Sequence, residues 1–160
     1  MKEQMMYWQG GNLVLTPNKC YAPRAVRVII AGLCFWILSV FLAVRFGDFW
    51  QLPLAIGSCL SVMALLYKIF SADIRIMIPA GEGKITMSFG GYFKRNFISK
   101  NETEIVQNSL NGKPYFAIAD KSSPYGKSYQ ISPFLTHKKR CRIFEEEVLP
   151  VIQKQINTKN

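Results

Sequence analysis

Histidine occurs once in this chain, and no two of its four cysteines stand close enough to form a CxxC pair. A site that needs two imidazoles is therefore excluded within one chain, and Cys20, Cys34, Cys59 and Cys141 define neither a zinc site nor a disulfide framework. Charged residues are also sparse, at 19%, and acids number 10 against 20 Lys and Arg. Two stretches, residues 28–44 and 52–67, hold no charge at all. Ion and proton pathways place ionisable groups at mid-membrane, so their absence from both runs argues against transport by a single copy.

What fills those runs is apolar side chain. Residues 28–44 read VIIAGLCFWILSVFLAV, bracketed by Arg24 and Arg27 before and Arg45 after. At about 1.5 Å per residue such a run covers most of a bilayer's hydrocarbon, and the flanking arginines can snorkel to complete it. More than two dozen residues precede the run, too many for the basic region of a cleavable signal peptide. Residues 52–67, LPLAIGSCLSVMALLY, form a second run, with Pro53 in its first turn, where a missing amide hydrogen costs little. Only residues 45–51 separate the two, so the sequence predicts an antiparallel helical hairpin. Gly57, Ser61 and Ala64 place small residues on about one face of its second helix, a pattern that allows close helix contact. The loop carries one base, whereas Lys19, Arg24 and Arg27 precede the hairpin and Lys68 and Arg75 follow it. By the positive-inside rule both termini are expected in the cytoplasm, with the chain multi-pass in the cytoplasmic (inner) membrane.

Beyond residue 70 the pattern changes to short strands punctuated by turn residues. Segments 73–78 and 84–89 alternate polar and apolar positions, 92–99 and 103–109 continue the series, and Asn111–Gly112 is the strongest hairpin signal in the chain. Its partner is 114–120, followed by a polar loop at 121–127 and a short strand at 128–132. From His137 the period becomes helical through Cys141, Phe144, Val148, Val151 or Ile152, and Ile156, with Thr136 as the expected N-cap and Pro150 as a kink. Before the hairpin, residues 12–16 also alternate and are a candidate first strand of the same sheet. The expected organisation is thus an N-terminal cytoplasmic segment at 1–24, a transmembrane hairpin at 25–70 and a cytoplasmic domain at 71–160.

No constellation in that domain satisfies a catalytic pattern. Gly81-Glu82-Gly83-Lys84 lacks both the earlier glycine and the following Ser or Thr of a phosphate loop, and reads as a turn between strands. Nothing in the sequence near Glu102 and Glu104 suggests a pocket that would separate their proton affinities, and Glu145–Glu147 diverge around a helix as a solvated face does. His137 has no nucleophile elbow to serve and reads as a helix-start residue. No enzyme activity, cofactor or metal is therefore expected. The anomaly is basic: Lys138, Lys139, Arg140 and Arg142 open the last helix, where the dipole disfavours cations by about 0.3–1 kcal/mol each. With Lys94, Arg95 and Lys100 on nearby strands they form a candidate surface for anionic headgroups or an acidic protein; the bland alternative is solvated charge paired with Glu145–Glu147. Nucleic acid is not the expected ligand, since strand alternation turns some of the aromatics among Tyr92, Phe93 and Phe97 inward.

The strand series at 84–91, 92–99, 103–106, 111–120 and 129–133, leading into the helix at 144–152, resembles the bacterial pleckstrin-homology-like (PH-like) domains of small membrane-anchored proteins. That resemblance covers the last ninety or so positions. It implies an α+β domain in which a curved antiparallel sheet is closed by a C-terminal helix, carried here beside a membrane α-hairpin. It also implies scaffolding, or lipid or protein binding, rather than catalysis; the partners expected of this chain are membrane lipids and a protein partner or a second copy of the chain. An immunity protein that shields the membrane from a toxin is the alternative expectation, compatible with small size and a helix hairpin.

Overall fold

The computed structural model describes residues 5–157; positions 1–4 and 158–160 of the expected terminal segments lie outside it. The chain divides into two compact units, Tyr21–Ala72 and, drawn from both flanks, Met1–Cys20 with Asp73–Asn160.

The first unit is a helical hairpin of α1 (Ala22–Phe46) and α2 (Gln51–Tyr67), the latter prolonged by a π-helical turn at Lys68–Ala72. Both helices are long and apolar enough to cross a membrane. α1 stops where Gly47 adopts a left-handed conformation and its N–H bonds the Ala43 carbonyl. The Ser39 hydroxyl donates to the Trp50 carbonyl at 2.7 Å, tying the connection back onto α1. Packing between the helices is made by small residues. Ala25, Gly32 and Ser39 are the buried positions of α1, and Pro53, Gly57 and Ala64 those of α2. Ser61, the third small residue expected there, is half-buried and donates to the Gly57 carbonyl at 2.8 Å. Large apolar side chains such as Ile37, Val40, Leu52 and Met63 point outward.

The second unit holds two antiparallel sheets. One runs β1 (Met6–Gln9), β2 (Asn12–Leu15), β3 (Ile74–Ile78), β4 (Lys84–Phe89) and β5 (Phe93–Ser99), in that spatial order. The other is β6 (Thr103–Leu110), β7 (Lys113–Asp120) and β8 (Ser123–Gln130). Residues 12–15 do join the sheet, with Leu13 opposite Ile78 and Leu15 opposite Ile76, so the helical hairpin is inserted between neighbouring strands. β1 was not anticipated. Asn111–Gly112 makes the expected hairpin between β6 and β7, both residues at the positive φ this turn demands.

Alternation along the first sheet sends Leu13, Leu15, Ile76, Ile78 and Ile85 into one core, each fully buried and worth about 1.5–3 kcal/mol. The C-terminal helix lays Phe144, Val148, Ile152 and Ile156 into the same core, and Phe144 stacks on Phe116 of β7 at 5.5 Å. This helix has three parts: α3 (Lys138–Ile143), a π-helical turn (Phe144–Val148) and α4 (Leu149–Asn157). Pro150 thereby falls in the first turn of α4, and the widened turn before it absorbs the missing hydrogen bond. The N-cap is His137 rather than Thr136, and it makes no side-chain capping bond.

The segment expected as a polar loop at 121–127 belongs largely to β8, which pairs with β7 on both sides of a register irregularity at Ala119/Asp120. At that turn Asp120 accepts hydrogen bonds from the Ser122 amide at 2.8 Å and the Ser122 hydroxyl at 2.7 Å. These bonds, the hydroxyl foremost, hold its carboxyl below the usual carboxylate pKa. The turn is thus fully supported above the ordinary carboxylate pKa and loosens as pH falls through the lowered one. In an NMR titration the Ser122 amide should report that depressed midpoint, and Ser122→Ala should raise it; an unmoved midpoint would mean the hydroxyl contributes nothing.

Candidate functional site

Register across the first sheet builds a continuous row on the face turned away from the core. Tyr7 stands opposite Val14, Val14 opposite Met77, Met77 opposite Thr86 and Thr86 opposite Asn96, one residue from each of five strands. A second row lies one pleat away, Arg75 opposite Ser88 and Ser88 opposite Lys94. Together with Gln9 and Gly91 these residues line a groove of about 560 Å³. Its floor is apolar, with Val14 only 1% exposed between Tyr7 and Met77. The Thr86 hydroxyl donates to the Asn96 side-chain oxygen at 2.8 Å, which fixes one wall. The cationic groups are Arg75 and Lys94, and no His, Cys, Asp or Glu lines the groove among the described residues. An anion entering it meets a guanidinium, an ammonium and several hydroxyl or amide donors, and no carboxylate among the described lining residues.

Of the basic residues singled out from the sequence, Lys94, Arg95 and Lys100 do not share one surface. Lys94 lines the groove, but Arg95 stands opposite Met87 in the row of Met6, Leu15 and Ile76, and so belongs to the other face of the sheet. It is nonetheless exposed. Lys100 is not a surface group: it is 2% exposed, in a one-turn 3-10 helix after β5. Its ammonium donates to the carbonyls of Ala80 at 3.1 Å and Gly81 at 3.3 Å, so its charge serves the β3–β4 turn. On α3, Lys138, Lys139 and Arg142 are exposed and Arg140 is half-buried. Arg142 meets Glu146 one turn on, at 3.6 Å. An exposed pair of this kind is worth about 0.3–0.5 kcal/mol, and it lowers the net charge of the cluster.

No protein-family model, curated protein or solved structure matches this chain. The arrangement of residues carries the functional argument alone. Among the described residues no group of three His, Cys, Asp or Glu could hold a metal ion.

Of the groove residues, sequence reasoning had reached Lys94 alone. Arg75 reads in the sequence as a basic flank of the hairpin, although its place between Ile74 and Ile76 in an alternating strand already sets it on the face opposite the core. Tyr7 and Gln9 lie on the unanticipated β1. Thr86, Ser88 and Asn96 become neighbours only through the pairing of β4 with β5.

Proposed function

We propose that the chain is a membrane-anchored, non-enzymatic binding protein whose extramembrane sheet docks an anionic partner in the groove of Arg75 and Lys94. The observation that carries this reading is a groove with an apolar floor, two cations and, among the described residues, no acid in its lining. Anchoring is supported by the inverted pattern of the hairpin, small residues at the seam and large apolar ones outside, which suits lipid better than water. The excess of Lys and Arg on the two flanks supports a cytoplasmic location for both termini. Antiparallel sheets of five and three strands, followed by a helix packed into their core, support the kinship with PH-like domains.

The test is to purify the full chain in mild detergent and record co-purifying anionic lipid by native mass spectrometry and acidic protein partners by pull-down. Arg75→Glu with Lys94→Glu should weaken whichever is bound by on the order of 100-fold, the value of two charge-assisted contacts. Lys138→Glu with Lys139→Glu should leave it in place. Equal binding by the groove variant and the parent, or loss only with the α3 variant, removes the groove from the proposal.

A further inference from the structure

The strands of the first sheet end in two sets, and only one set adjoins the helical hairpin in sequence. The chain leaves β2 at Leu15 toward α1 and re-enters β3 at Ile74, with Asp73 alone between the π-helical turn and the strand. Leu15 is paired with Met6 and Ile76, Ile74 with Phe89, and Phe89 with Phe93, so all of these mark one end of the sheet. The β1–β2 and β3–β4 turns lie at the other end. The β4–β5 turn is the hairpin turn at the end where the chain departs and returns. Its Gly90 N–H donates to the Asp73 carbonyl at 3.2 Å, which fastens it beside the residue that follows the helices.

This turn exposes what a lipid interface takes up. Tyr92 is 82% exposed and Phe93 61%, and Lys94 and Arg95 follow, both exposed. From Lys84 to Lys100 there is no acidic residue. Aromatic rings prefer the headgroup region, and adjacent bases pair with phosphate there. Lys94 and Arg95 leave the strand on opposite faces, so they straddle the turn rather than stack on one side of it. We infer that the β4–β5 turn is a second point of membrane contact, with Tyr92 and Phe93 seated in the interface of an anionic bilayer and Lys94 and Arg95 on its phosphates. The inference rests on the reading that α1 and α2 span the membrane.

The full chain, with Cys20, Cys34, Cys59 and Cys141 replaced by serine or alanine, is labelled with an environment-sensitive fluorophore through Tyr92→Cys, Val40→Cys or Asn111→Cys. Each is reconstituted in vesicles of phosphatidylcholine and phosphatidylglycerol that carry nitroxide either at the headgroup or deep in the acyl chain. The expected result is deep quenching at position 40, shallow quenching at 92 and none at 111, the turn of the other sheet. Lys94→Glu with Arg95→Glu should lower the docking equilibrium constant at 92 by at least about 30-fold while position 40 stays quenched. Quenching at 40 with position 92 as unquenched as 111, or quenching at 92 that survives the charge reversal, overturns the contact proposed here and leaves the anchor standing. Absence of quenching at 40 overturns the anchor, and this inference with it.

Discussion

Gly57→Leu is expected to open the helical hairpin. A Cβ at this position would run into the Trp36 indole and stand 2.9 Å from the Gly32 carbonyl oxygen. The indole can rotate; the backbone of α1 cannot withdraw without separating the helices. The converse contact is as close, since a Cβ on Gly32 would lie 2.6 Å from the Ser61 hydroxyl and 3.1 Å from the Gly57 carbonyl. Ala25, Gly32 and Ser39 recur at seven-residue intervals, as do Gly57 and Ala64, so the close approach runs along a seam with the spacing of a left-handed crossing. Overpacking such a seam costs about 1–3 kcal/mol when side chains can yield, and more when backbone must. In thermal unfolding of the detergent-solubilised chain, Gly57→Leu should lower the midpoint well below that of Gly57→Ala. Ile37→Ala, at an outward position 70% exposed, should change it little. Equal midpoints for the leucine variant and the parent would show that the seam does not hold the hairpin together.

That seam was legible in one helix and not in the other. Gly57, Ser61 and Ala64 announce themselves because spaced small residues stand out in an apolar run. Gly32 and Ser39 are separated by six residues of bulk and gain meaning only once Gly57 faces Gly32. The strands follow the same logic. β3 and β4 alternate over five and six residues between turn signals, while β6 and β7 are announced by the Asn111–Gly112 turn that joins them. β1 is four residues with Trp8 exposed at its outer end, too short and too little alternating for a period to register. β8 reads SPYGKSYQ: Ser128, Tyr129 and Gln130, within the segment expected as a strand, pair with β7, and of the loop-like half Ser123 pairs with Asp120 across the register irregularity.

The groove shows the same limit more sharply. Strand alternation predicts which residues of one strand share a face, yet a binding surface needs the register between strands. Arg75, Ser88 and Lys94 are thirteen and six positions apart in sequence and adjacent in the sheet. A bulge between Ile85 and Thr86 resets the pairing of β4 with β5, so Ile85 faces Ile98 while Thr86 faces Asn96. Counting bases therefore gathers Lys94, Arg95 and Lys100 into one patch, whereas the sheet distributes them to the outer face, the opposite face and the interior.

Lys100→Glu is expected to unfold the sheet unit rather than alter what it binds. The lysine lies 2% exposed, and its backbone N–H bonds the Gly83 carbonyl at 3.0 Å while its ammonium reaches the Ala80 and Gly81 carbonyls of the same turn. The neighbouring Pro79 carbonyl accepts from the Gln155 amide of α4 at 3.0 Å, so the β3–β4 turn is held by one strand end and one helix together. A buried donor that carries charge loses its hydration on folding, and those carbonyls replace part of it. Glutamate would set a carboxylate against the same oxygens, a loss of at least about 3 kcal/mol, which is a large share of the stability of a domain this size. Lys100→Met keeps most of the packing and forfeits the hydrogen bonds, so it should lie between, at about 1–3 kcal/mol. Denaturant unfolding of the full chain should rank parent, methionine and glutamate in that order. A glutamate variant as stable as the parent, but with weakened binding of anions, would return Lys100 to the surface and undo the assignment of its charge to the turn.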